Sequence, residues 1–337
     1  MRRLLPLLLV TACGGTPPRD GTYATVTVPQ GASFGQVLDS LDAHGLIGNR
    51  SWLKLRARIS GADRAVQAGT YRVARGTPAD ELLRQLSLGS APEVRLTVPE
   101  GLTVADLAAL AEAKLGLPAD SVRTAAADSA LADSLGISSG SLEGFLHPDT
   151  YQLPAEVTAR GLVTRMAGEF LRTWKPEWDA RLDTLRMNRN QLVTLASIVE
   201  GEARVDSERE TIAGVYHNRL RIGMALQADP TVQYAIMLRT GERKKRLFEK
   251  DYATASPYNT YRNPGLPPGP VNSPSLRSIE AALYPADVPY LYFVAAGDGS
   301  HTFTRSYAEH LRAVAASRRA RAAAGQSAPA PASAPAP

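Results

Sequence analysis

The chain is short of the residues that cross-link folds and bind metals. Among 337 residues there is one cysteine, Cys13, and the five histidines are scattered. A single thiol excludes a disulfide within the chain and leaves no cysteine cluster for a metal. No cofactor or metal is expected. Charge of one sign is equally scarce, 38 basic residues against 33 acidic ones giving a formal +5. The two signs alternate apart from RTGERKKRLFEK at 239–250, and such a run reads as a solvated loop or helix end. A nucleic-acid partner is therefore not expected. Near the N-terminus the apolar stretch from Leu4 to Ala12 falls far short of the roughly 20 residues that cross a bilayer. What is there is an ordinary globular balance, 44% hydrophobic and 21% charged, with length for two or three domains.

The N-terminus has the layout of an export signal. MRRLLPLLLVTACGG carries two arginines, an apolar stretch interrupted by Pro6, and then small residues. Its VTAC ending resembles a bacterial lipobox, which implies an exported protein tethered by lipid at Cys13; a plain cleaved signal or a weak anchor is the alternative. We divide the chain into a signal or anchor (1–13), a polar linker (14–24), a first module (25–95), a main domain (96–312) and a tail (313–337). The tail's SAPAPASAPAP ending reads as disordered.

One plan occurs three times: TVPQGASFGQVLDSL from Thr27, RVARGTPADELLRQL from Arg72 and TVPEGLTVADLAALA from Thr97. Each has a β-favouring start, a glycine (Gly31, Gly76, Gly101), a small or polar cap and an amphipathic helix. Such units resemble LysM-like modules, which bind N-acetylglucosamine-containing glycans; a spacer or docking role is the competing use. Farther on, 105–135 has helical periodicity, and 141–154 reads as an ordered loop or extended segment. In 158–184 an apolar helical stripe passes through Leu162, Met166, Phe170 and Trp174 and is assigned to the core. YNTYRNPGLPPGPVNSPSLRS has too much Pro, Gly and Asn for regular structure. A short helix from Ser273 or Ser275 follows, then a hairpin from Tyr290 to Ala295 and His301 to Thr304. The fold expected is α+β, with small N-terminal modules before a mainly helical domain that carries a β-hairpin.

The stretch QLVTLASIVEGEARVDSERETIAGVYHNRL, from Gln191, reads as two helices with Glu200 and Glu202 between them. With Asn190 as the cap and about 100° per residue, Leu192, Leu195, Ile198 and Val199 share a face. Glu202 projects from the middle of that face, and Glu200 lies about 140° from Leu195, at its rim. Burial favours the protonated form of a carboxyl group, which is what a general acid needs near neutral pH. Glu202 is thus the catalytic candidate and Glu200 its support. A buried ion pair between Glu202 and Arg219, or a helix that ends before Glu202 because Gly201 weakens it, would account for the same pattern. Ser207 with Glu210 fits a capping box for the second helix, which runs through Arg219 and stops near Gly223.

LASIVEGEA, IAGVYHNRLRIGMALQADPTVQYA, YNTYRNPGLPPGPVNSPS and YLYFVAAGDGSHTFTRS, in this order, resemble the endolytic murein transglycosylase family (MltG, YceG-like), and LEGFLHPDTYQLP resembles an upstream block of it. The resemblance spans about 25–312. It implies a bacterial cell-envelope enzyme, held at a membrane through its N-terminal anchor with its catalytic domain outside the cytoplasm. Such an enzyme cuts glycan strands between N-acetylmuramic acid and N-acetylglucosamine, leaves 1,6-anhydromuramic ends and so terminates elongation. It also implies cooperation with peptidoglycan synthases, and a catalytic glutamate within the E-x-E pair: Glu202, with Glu200 as the alternative. One carboxyl suffices for such chemistry, because the sugar's own 6-hydroxyl is the nucleophile and the attack is intramolecular, whereas ordinary glycosidases need two.

Other matched positions carry less specific chemistry. Gln227 and Asp229 in LQADPT, and Tyr258, Asn259 and Thr260 in YNTY, offer hydrogen bonds suited to sugar hydroxyl and acetamido groups. Asp229 fits equally a cap on the next helix, and Asn259 a bond within its own turn. Glu143 in LEGFL is a candidate second carboxylate, with a structural use as the other option. Gly265, Pro267, Pro268 and Gly269 are expected to shape a rigid cleft wall, and His301 is a candidate for the cleft or for the hairpin's own structure. Two departures from the family stand out: a lipoprotein-type start replaces a spanning helix, and His147 occupies a position where an aromatic residue is usual. A non-catalytic peptidoglycan-binding envelope protein and a hydrolytic muramidase are the competing readings.

Overall fold

The computed structural model describes residues 22–89, 93–154 and 156–323. Cys13, with the signal segment, and the SAPAPASAPAP ending lie outside the described residues. Among those described, no helix is long and apolar enough to cross a membrane. The chain falls into two compact units that meet in sequence between Glu93 and Val94.

The first unit is built on two antiparallel strands, β1 (Tyr23–Val28) and β2 (Gly69–Ala74), in a register that sets Val26 opposite Tyr71 and Ala24 opposite Val73. Alternation along each strand turns Val26, Val28, Tyr71 and Val73 to one buried face. Against it pack Val37, Leu38 and Leu41 of α1 (Phe34–Ala43), Leu53 and Ala57 of α2 (Arg50–Ser60), and Leu82, Leu83 and Leu86 of α3 (Ala79–Leu88). Each fully buried leucine contributes roughly 1.5–3 kcal/mol. The threefold sequence plan has a backbone cause. Gly31, Gly76 and Gly101 have φ of 78°, 78° and 73°, the left-handed region that glycine occupies without strain, and each turns a strand into the start of a helix.

The third copy opens the second unit, where β3 (Glu93–Thr97) leads to α4 (Val104–Leu115). The stretch expected to be helical over 105–135 is three helices. Gly116 ends α4 at φ 68°, Pro118 precedes α5 (Ala119–Ala126), and the Asp128 side chain caps α6 (Ser129–Ser134) by accepting from Leu131 N. Strand β4 (Thr150–Pro154) pairs with β3. The expected stripe from Leu162 to Trp174 is core, lying along α7 (Ala159–Thr173) and its C-cap, before α8 (Pro176–Leu185).

Then come α9 (Arg189–Glu202), α10 (Arg209–Arg221) and α11 (Asp229–Thr240), followed by the Pro- and Gly-rich loop and α12 (Leu276–Leu283). The hairpin is β5 (Tyr292–Ala295) with β6 (His301–Thr304), antiparallel as expected. Helix α13 (Tyr307–Ala323) closes the described chain and runs past the boundary set at 312. Its Ala- and Arg-rich sequence consists of strong helix formers, and proline first appears beyond its end. The loop before α12 is irregular yet largely buried. Its polar side chains stand in for a ladder: Asn259 Nδ2 donates to Tyr252 O and Thr254 O at 2.9 and 2.8 Å, and Asn272 Nδ2 donates to Ser197 O at 2.8 Å.

Candidate active site

Helix α9 starts one cap earlier than the sequence suggests. Asn188 Oδ1 accepts from Gln191 N at 2.8 Å and Gln191 Oε1 accepts from Asn188 N at 2.9 Å, a closed capping box. Asn190 lies within the first turn, its carbonyl accepting from Thr194 Oγ1. From Leu192 to Val199 every residue is buried, so the helix is core all round and not amphipathic. Ser197 is spent inside it, donating to Thr194 O and accepting from Val271 N. The glutamates come where α9 leaves the core.

Gly201, between them, is required by packing. A β-carbon there would stand 2.5 Å from Pro230 Cγ and 2.7 Å from Pro230 Cβ. Only glycine lets the first turn of α11 lie against the last turn of α9, and that approach brings Asp229 to Glu202.

The two carboxylates have different partners. Glu200 Oε2 accepts from Arg209 Nη1 at 3.1 Å, Ser275 N at 2.9 Å and Ser275 Oγ at 2.5 Å. With only 8% of its side chain exposed, Glu200 ties the cap of α12 to α10. Glu202 Oε1 accepts from Tyr216 Oη at 3.2 Å and Asp229 N at 3.1 Å, and among the described residues no hydrogen bond reaches Oε2. Burial pushes the Glu202 carboxyl up to about 8, helped by the nearby Asp229 charge and opposed by the Tyr216 and Asp229 N–H bonds and by Arg219. Arg219 is not its ion-pair partner. The guanidinium donates to Leu291 O at 2.7 Å and Leu226 O at 2.6 Å, joining α10 to the hairpin and to the segment before α11.

Glu202 lines a cleft of about 430 Å³ together with Gln227, Asp229, Tyr261, His301 and the β5 edge. Asp229 occupies the first turn of α11, and its Oδ1 accepts from Tyr261 Oη at 2.7 Å. Burial raises its carboxyl also, against the bonds from Tyr261 and Tyr252. Gln227 has φ 49°, an uncommon conformation for a side-chain-bearing residue, held by Gln227 N donating to Thr260 O and Ala228 N donating to Thr260 Oγ1. His301 lines the cleft and is also fixed, its Nδ1 lying 2.7 Å from Glu208 Oε2. The expected Ser207–Glu210 capping box is absent. Glu208, in a 3-10 turn at Asp206–Glu208, is engaged by the hairpin, and α10 begins at Arg209 without a side-chain cap.

Several expected site residues stand apart from this cleft. Asn259 and Thr260 are 0% and 1% exposed and hold the loop, so they position groups and do not reach into the cleft. Tyr258 packs its ring 4.8 Å from Tyr234, away from the lining. Glu143 is buried where its carboxylate accepts from Val104 N, the first residue of α4, at 3.1 Å and from Tyr234 Oη at 3.2 Å; burial raises it to about 7. Pro267 and Pro268 line a separate hollow beside Leu185 and Met187. His147 is buried, with its Nδ1 unpartnered among the described residues.

Residues that sequence reasoning missed are Tyr216, Tyr252 and Tyr261, Gln233, and the two cations Lys245 and Arg246 of the run read as solvated. That run is tied down: Leu247 is buried, Lys244 pairs with Asp251 at 2.7 Å, and Arg243 Nη1 donates to Gly101 O. The signal for Tyr261 was its place in YNTY; for the cations, chain position alone carries none.

Comparison with known proteins gives one answer. The sequence model of the YceG-like family matches residues 26–316. The endolytic murein transglycosylase of Bacillus subtilis (strain 168) is 30% identical over 311 residues, covering 87% of this chain and 84% of that protein. The endolytic murein transglycosylase of Streptococcus pneumoniae serotype 2 (strain D39 / NCTC 7466) is 30% identical over 325 residues, 87% of this chain and 58% of that longer protein. The crystal structure of the yceG-like protein lmo1499 from Listeria monocytogenes is similar with a TM-score of 0.59 at 30% identity, covering 86% of this chain and 98% of that one.

Proposed function

The chain belongs to the YceG-like family, and from that premise we propose that it is an endolytic murein lytic transglycosylase with Glu202 as its general acid. The observation that carries the reading is the state of that carboxyl. It is raised by burial, bound on Oε1 alone, and turned to a cleft large enough for sugar rings. Protonated Glu202 donates to the glycosidic oxygen between N-acetylmuramic acid and N-acetylglucosamine as the C1–O bond breaks. The muramyl 6-hydroxyl closes on C1, its proton passes to the Glu202 carboxylate, and the acid is regenerated. No water is consumed, and the new end is 1,6-anhydromuramic acid, which stops the strand from growing. Gln227 and Asp229 serve as sugar-facing hydrogen-bond partners; Thr260 and Asn259 hold them in place, and Glu143 holds the start of α4.

Two further parts of the reading rest on other features. The two-stranded sheet and its own core support residues 25–95 as a LysM-like glycan-binding module. The lipobox-like VTAC supports tethering at Cys13 in the envelope. A hydrolytic muramidase is the second reading, favoured by Asp229, a second carboxyl in the same cleft that is suited to activating water.

Mass spectrometry of peptidoglycan digested by wild type, Glu202→Gln and Glu200→Gln tests the assignment. We expect anhydro ends from wild type and Glu200→Gln, and none from Glu202→Gln. Products heavier by one water would establish the muramidase. Tight glycan binding with no cleavage by wild type would establish a scaffold.

A further inference from the structure

We propose that the outer wall of the Glu202 cleft is a subsite for the carboxylates of the stem peptides carried by a murein strand. The inference rests on the murein reading above and takes it to the part of the strand that the wall grips. Of the four exposed cations that line the cleft, three come from separate stretches of chain: Arg204 just after α9, Lys245 in the basic run beside Arg246, and Arg318 on α13. Among the described residues none of the three has an ion-pair or hydrogen-bond partner. Elsewhere arginines meet carboxylates, as Arg56 does Asp80 and Arg160 does Asp128. The wall is a built one, since Ser317 Oγ donates to Ala295 O at 2.7 Å and fixes α13 to the hairpin.

Among the described residues, the only acids lining the cleft are Glu202 and Asp229, and their carboxyl oxygens accept from Tyr216 and Tyr261, so neither answers the cations. The hydroxyl and acetamido groups of a glycan are neutral and need no cation. On a peptide-bearing strand the negative charge sits on stem-peptide carboxylates, which recur along the chain and lie to the side of the sugar backbone. A wall of unpaired cations beside the cleavage point fits that geometry, and charge-assisted hydrogen bonds to carboxylate are the strong kind.

The test is binding of labelled glycan strands to the Glu202→Gln protein, comparing strands with free stem carboxylates and the same strands with those carboxylates amidated. We expect about tenfold tighter binding of the free-carboxylate strands, shrinking as salt screens the charges. Adding Arg204→Gln, Lys245→Gln and Arg318→Gln should bring the ratio to near one. Adding instead Lys250→Gln, Arg312→Gln and Arg319→Gln, an equal loss of charge outside the cleft lining, should leave the ratio intact. Equal binding of both strands by the parent protein, or equal loss of preference in both triple variants, overturns the subsite. Amidated strands that bind the parent as tightly as free-carboxylate strands, yet weaken in the Arg204→Gln, Lys245→Gln, Arg318→Gln protein, assign the cations to some other anion, phosphate included, and overturn it too. Whether wild type makes anhydro ends is read separately, so failure of the catalytic assignment is distinguishable from failure of the subsite.

Discussion

At the scale of single residues, the chemistry and the stability of this protein pull in opposite directions at Glu202. Its carboxyl is raised in the folded state to about 8, above the roughly 4.3 of an unfolded glutamate. The folded state therefore holds a proton that the unfolded chain releases. The contribution to stability is fully present below the unfolded value and is lost as pH rises towards 8. Glutamine cannot ionise, so Glu202→Gln should melt at a higher temperature than wild type at pH 8, with the gap closing towards pH 4. The same change should lower kcat/KM by about 10²–10⁴. Calorimetry and turnover on one preparation give both numbers, and a variant that melts lower at pH 8 would refute the burial argument. Tyr216 offers a finer check. Its hydroxyl bonds Glu202 Oε1 and favours the ionised form, so Tyr216→Phe should move the alkaline limb of the kcat/KM profile to higher pH. An unmoved limb means that another group titrates there.

At the scale of elements, two substitutions separate support from chemistry. Glu200 neutralises the buried Arg209 and caps α12. Glu200→Gln keeps an acceptor for Ser275 but leaves the buried guanidinium with only the exposed Asp206 carboxylate, 3.2 Å from its Nε, so it should cost stability, by less than the roughly 3–5 kcal/mol for breaking a buried pair outright, while its products keep their anhydro ends. Chemical denaturation measures the first and mass spectrometry the second. Gly201→Ala inverts a general rule. In a helix alanine is favoured over glycine by about 1 kcal/mol, yet here its β-carbon would drive Pro230 and α11 away. We expect a net destabilisation of about 1–3 kcal/mol from overpacking and a fall in kcat as Asp229 N leaves Glu202; a more stable Gly201→Ala protein would refute the close approach of the two helices.

The same elements show what was legible beforehand. The hairpin, the irregular loop and the order of helices were readable because periodicity and turn residues are local properties. The partial burial of Glu202 was readable as well, although by an incomplete argument. Its phase came from one apolar face, whereas α9 is buried all round and Asn188, sharing the Asn-x-x-Gln box, outcompetes Asn190 as cap. The inward turn of Asn259 and Thr260, and the lodging of Lys245 at the cleft, depend on what lies opposite them in the folded chain. No short window of sequence contains that.

At the scale of the whole molecule, the division into two units makes a prediction about which part holds the reaction. Every residue of the Glu202 cleft belongs to the unit that begins at Val94, and each unit has its own buried cluster. A fragment covering 93–323 should therefore unfold cooperatively and still make anhydro ends. If the first unit holds glycan, its removal takes away binding that is equal in ground and transition states, which raises KM and leaves kcat alone. The effect should grow with strand length, because a second contact on the same strand acts through effective concentration. Kinetics on strands of graded length resolve the matter. A rise in KM confined to long strands assigns the first unit to glycan capture. A fall in kcat on the shortest strand that wild type cleaves would mean that the first unit helps to build the catalytic site itself.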